Sequence, residues 1–141
     1  MIPYTFIILF LLATVAIWTT REPRVFTEVK ERYEKFRAIV PPKYSVLRDH
    51  QVLLIGYLKK SKELGYNTNK GYEIGLCLDG TANQVFHVLL HELAHSTVRE
   101  YDHNKEFWGN FKELRDIAAS HGLYQAISGS ESFCGKFIKD A

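Results

Sequence analysis

The sequence predicts an α+β domain, a small sheet packed on one central helix, preceded by a single transmembrane helix. Three observations lead there. Residues 1–20 carry no charged side chain; residues 72–78 alternate in the manner of a strand; and two segments place apolar residues at steps of three and four, as a helix with one buried face does.

The first element is MIPYTFIILFLLATVAIWTT, which as a helix rising about 1.5 Å per residue would span roughly 30 Å, the hydrocarbon thickness of a bilayer. Arg21, Arg24, Lys30, Arg32, Lys35 and Arg37 all follow it and nothing basic but the terminal amine precedes it. That asymmetry predicts a single-pass anchor at residues 1–20 with residues 21–141 as a cytoplasmic domain. Cleavage would instead release a secreted domain. However, the segment lacks an N-terminal Lys or Arg, and Ala13 and Ala16 are spaced too widely for a signal-peptidase site, so a retained anchor is expected.

Val25, Val29, Tyr33, Phe36 and Ile39 trace an apolar stripe on a charged helix that Pro41 and Pro42 stop. Residues 45–64 contain VLLIGYL, which fits a buried strand or a helix; the spacing of Leu47, Leu54 and Leu58 and the polar tail KKSKE favour helix. Residues 65–71, GYNTNKG, read as a turn. Tyr72, Ile74, Leu76 and Leu78 then alternate with Glu73, Gly75 and Cys77, predicting a strand with one face inward. Asp79-Gly80 ends it, and Thr81 with Gln84 forms a capping-box pattern that starts the next helix. Cys77 and Cys134 do not have metal-ligand spacing and are expected to be reduced and mostly buried. A net charge of +2 without a basic run gives no clear nucleic-acid site.

The chemistry lies in HELAHSTVREYDHNKEFW, residues 91–108. On one helix His91 and His95 project from the same face and can converge on one zinc ion, with Glu92 beside them as general base toward a water molecule. His87 adds a third histidine to the stripe. It lies about 12 Å along the axis from His95, too far for zinc–nitrogen bonds of about 2 Å, and is expected at the core edge or behind a ligand. His103 would be equally distant if the helix continued. Asn104 is a good N-cap, however, and Phe107, Phe111, Leu114, Ile117 and Ala118 trace a new stripe ending near Gly122. A break before Asn104 makes His103 the expected third ligand, with Glu100, Asp102, Glu106 and His121 as substitutes. Asp102 and Glu106 are also candidates to orient a ligand imidazole, and Tyr101 or Tyr124 could donate to an oxyanion, though no spacing selects either.

GYNTNKGYEIGLCL, then HELAH, then His-Asn-x-x-Phe-Trp resembles the WLM family of small zinc metalloproteases, related to SprT-like and YgjP-like proteins. The resemblance covers roughly residues 64–114. It implies a compact zincin-like (minigluzincin) fold, with His91, His95 and His103 as Zn2+ ligands, Glu92 as catalytic acid/base, and an extended substrate chain pairing with the strand before the helix. Gly75 would let that chain approach closely. The family spacing between second and third histidines is about two residues shorter than here.

The expected function is a membrane-anchored, zinc-dependent endopeptidase acting on protein substrates. Two alternatives stand beside it: a catalytically idle, zinc-stabilised interaction scaffold, and a protease of DNA–protein crosslinks like other family members.

Overall fold

The computed structural model describes residues 2–58 and 63–140; most of the KKSKE tail lies outside them. The first helix, α1, runs Tyr4–Thr20. Its ends follow from proline chemistry. Pro3 stands at the N-cap, and Arg21 leaves the helix as extended backbone two residues before Pro23, whose ring disfavours helical conformation in the residue ahead of it. The helix is 17 residues long, about 25 Å against the roughly 30 Å of a hydrocarbon core. No helix among the described residues is long and apolar enough to cross a membrane. The expected transmembrane helix, and with it the single-pass location with a cytoplasmic domain, is not borne out: residues 1–20 lack charge, but the prolines shorten the helix.

Helix α2, Arg24–Ile39, follows directly and buries Phe26, Val29, Tyr33 and Phe36, the face its periodicity marks. The Tyr33 hydroxyl accepts a hydrogen bond from the Val52 amide at 2.9 Å and so fixes the chain where the sheet begins. After a 3-10 turn at Pro42–Tyr44 and a short α3, Ser45–Asp49, the chain enters β1, Leu53–Tyr57. Among the described residues the helix expected across residues 45–64 is thus confined to Ser45–Asp49, and LLIGY is a strand. Its partner is the distant β3, Glu73–Cys77, with Leu53 opposite Glu73 and Tyr57 opposite Cys77 in parallel register. Local periodicity carries no trace of such a pairing.

The residues read as a turn, 65–71, are half strand. Gly65–Thr68 forms β2, antiparallel to β3, and only the following residues turn. The sheet order is β1-β3-β2, which puts β3 in the centre. It is buried on both faces rather than one: Ile74 and Leu76 lie in the core, Gly75 lies under the ring of Tyr66, and Cys77 forms a disulfide with Cys134. The expectation of two reduced cysteines is overturned by this bond, which joins residues 57 positions apart. Cys134 sits in the tight turn of a C-terminal hairpin, β4 (Ser130–Phe133) and β5 (Lys136–Lys139), and the bond ties that turn to the end of β3.

Two helices complete the domain. The capping box of Thr81 and Gln84 starts α4, Ala82–His95, which is buried along most of its length against the sheet, α2 and α5. Helix α5, Lys105–Ser120, starts at Asn104, whose side chain accepts the Phe107 amide, and ends at Gly122 in a left-handed conformation, φ 71°.

Candidate metal centre and cleft

Helix α4 ends at His95. The amides of Ser96 and Thr97 bond back to Leu93 and Ala94 in a tight last turn, and the Thr97 hydroxyl, which also donates to the Ala94 carbonyl, is held by the Asn110 amide at 2.9 Å. The chain then loops until Asn104 restarts it as α5. Phe107 packs in the core with its ring 4.4 Å from that of His95 and 5.0 Å from that of His91, which brings the start of α5 against the end of α4. His103, just before the cap, is carried back over the pair.

The result is a cluster of three imidazoles. His91, His95 and His103 each offer a ring nitrogen, and these atoms lie within 4.8 Å of one another. The Nε2 atoms of His95 and His103 are 3.1 Å apart. Ligands about 2.0–2.1 Å from a tetrahedral zinc ion would be about 3.3 Å apart, close to the His95–His103 distance. The cluster could hold a metal ion. Burial, and then the neighbouring histidines, hold His91 near pKa 3; burial, His103 and Lys70 hold His95 near 4. Both rings are neutral at pH 7 and present lone pairs, the form a metal needs.

Glu92 faces the same space and is 8 % exposed. Burial, assisted by Glu63, raises its carboxyl to a pKa of about 7. Beside it runs β2. A Cβ added to Gly65 would come within 2.7 Å of Val88 and 3.4 Å of Glu92, so this glycine lets the strand lie against the carboxylate. The Asn67 amide donates to the Glu92 carbonyl at 2.7 Å and to the Ser96 hydroxyl at 2.8 Å. Gly65 and Asn67 were not singled out in the sequence; the close spacing of glycine and asparagine that marked a turn was the available signal.

The cleft encloses about 580 Å³. Residues 63–67 line one side and residues 136–139 of the C-terminal hairpin the other, with His91, Glu92 and His95 between. Consecutive residues, rather than every second one, face it from both sides, as when a strand presents its edge. Two anchors hold the hairpin wall: the disulfide, and Asp140 directly after β5. The Asp140 carboxylate accepts the Tyr124 hydroxyl at 2.6 Å and the Ile127 amide at 2.7 Å, and pairs with Arg115 at 3.0 Å. Burial works to raise its pKa, but these partners hold it below the usual range.

Other expected site residues fall elsewhere. His87 lies at the cleft floor with Nδ1 2.9 Å from the Tyr124 hydroxyl and 3.1 Å from Asp140, outside the three-histidine cluster. Tyr124 is buried with its hydroxyl given to Asp140, and it does not line the cleft, so it is not placed to serve an oxyanion. Tyr101 is at the cleft rim, 70 % exposed. Glu100, Asp102 and Glu106 are exposed and outside the cluster, while His121 caps the end of α5 through the Ile117 carbonyl.

Gly75 does not lie on an open strand edge. β3 is paired on both sides, and a Cβ at this position would come 2.1 Å from the Tyr66 ring, which is held by a 2.8 Å hydrogen bond to Glu73. Gly75→Ala is therefore expected to destabilise the domain by about 1–3 kcal/mol through overpacking. Thermal unfolding checks this; unchanged stability with a raised KM would instead restore the substrate role.

The WLM domain model matches residues 49–135, which include β1, the cleft helix, all three histidines and the disulfide. The chain belongs to the WLM family. An uncharacterized protein of Acanthamoeba polyphaga mimivirus is 30% identical over 125 residues, covering 82% of this chain. The chain spans 59% of the length of that relative. No solved structure matches. Within this WLM chain residues 96–102 leave α4 and lead to the Asn104 cap of α5, and the three histidines converge.

Proposed function

We propose that this WLM protein is a zinc-dependent endopeptidase with His91, His95 and His103 as metal ligands and Glu92 as general base. The observation that carries the reading is the convergence of three imidazole nitrogens within 4.8 Å beside a buried carboxylate in one open cleft. Zinc held there would supply Lewis acidity toward water and the scissile carbonyl. Glu92 takes the proton from the attacking water and returns it to the leaving amine. The edge of β2 receives the substrate as an added strand, which suits an extended polypeptide rather than a folded surface. Three protein ligands with the cleft open beside them are what a catalytic site needs; a structural zinc site usually closes with a fourth.

The test is zinc binding and proteolysis by the full chain. One zinc ion per chain is expected, with cleavage of an unfolded polypeptide that a chelator stops and zinc restores. His103→Ala should weaken zinc binding sharply, whereas His87→Ala should leave it within a few-fold. Stoichiometric zinc with no cleavage of any unfolded substrate would sink the peptidase reading, and equal effects of the two histidine variants would sink the ligand assignment.

A further inference from the structure

The loop joining His95 to His103 contains neither Gly nor Pro, so something else must set its path. The turn after β2 reaches it. Asn69 and Lys70 both adopt left-handed backbone, φ 51° and 55°, a conformation costly for residues with a Cβ, and Gly71 follows at φ 107°. The turn packs closely on the end of α4, since a Cβ on Gly71 would come 2.9 Å from the Ser96 hydroxyl. From it the Lys70 ammonium donates to the His95 carbonyl at 3.0 Å and to the Glu100 carbonyl at 2.6 Å. It also lies 4.1 Å from the centroid of the Tyr101 ring.

These contacts join three places: the carbonyl of the second histidine, the middle of the loop, and the ring two residues before the third histidine. A cation at the end of α4 is favoured by the helix carbonyls. By charge alone, however, a cation beside a cation-binding cluster opposes metal binding. We propose that Lys70 is a positioning residue of the metal centre, clamping the loop so that His103 stays aimed at His91 and His95. This rests on the zinc reading above. It gives the GYNTNKG turn a role: a strained two-residue turn presents the clamp.

The two effects have opposite signs, which makes the experiment decisive. Lys70→Met in the full chain removes a positive charge and would strengthen zinc binding if charge were all that mattered. Loss of the clamp predicts an increase in the zinc Kd of about 10- to 100-fold, the range found when groups orienting a ligand are removed. Cobalt(II) in place of zinc should show a visible spectrum shifted toward that of His103→Ala, and Lys70→Arg should restore most of the affinity. A Kd and cobalt spectrum equal to wild type, or tighter binding, would overturn the proposal.

If Lys70→Met does not fold, the exposed Tyr101 supplies the second variant. Tyr101→Ala should raise the Kd about two- to fivefold, the equivalent of a cation–π contact at an exposed site, and no change would count against the clamp. A wild-type chain that binds neither zinc nor cobalt would defeat the reading of the site itself, and this inference with it.

Discussion

Glu92→Gln is expected to keep zinc within a few-fold of wild-type affinity while reducing kcat about 10²- to 10⁴-fold, the usual contribution of a positioned acid/base. Glu92 lies on the buried side of α4 between His91 and His95, and its carboxylate faces the cleft rather than joining the histidine cluster. The amide of glutamine fills the same volume and can hydrogen bond, but it cannot take a proton from water. Single-turnover cleavage of an unfolded polypeptide, with zinc measured on the same samples, separates the two effects. Loss of zinc together with activity would show that Glu92 supports the metal; undiminished cleavage would remove it from the chemistry.

Breaking the Cys77–Cys134 bond is expected to lower the unfolding free energy by about 4 kcal/mol in the chain-entropy model for a loop of this length. The effect is large because the bond joins residues 57 apart, and its removal returns that loop to the freedom of the unfolded chain. Denaturant titration of Cys77→Ala/Cys134→Ala against the oxidised protein measures it. The same variant should cleave less well before it unfolds, because the bond fixes the turn of the hairpin whose residues 136–139 wall the cleft. The Asp140 contacts remain as the second anchor, so the wall should loosen and not detach. Equal stability of the reduced and oxidised forms would contradict this account.

Where local signals sufficed, the sequence was a reliable guide. The capping box at Thr81, the Asn104 cap, the glycine after α5 and the apolar stripes of α2 and α5 all operate over three or four residues, the range over which side chains address their own backbone. Those signals placed His91 and His95 one turn apart and broke the chain before His103. The membrane reading failed because it weighed composition and not the prolines flanking α1. The helix at 45–64 failed because β1 is made a strand by β3, about twenty residues later.

What the sequence by itself determined is the set of chemical groups and their local spacing: three histidines, one carboxylate, a strand and then a helix. Tertiary structure alone decided the rest. It placed the start of α5 on the end of α4 through Phe107, laid Gly65 rather than Gly75 beside the Glu92 carboxyl, withdrew Tyr124 into a buried bond with Asp140, and brought Cys134 to Cys77. Each depends on contacts between residues far apart in the chain, where packing and closure of long loops decide which surfaces meet. No period of two or of 3.6 residues records that choice.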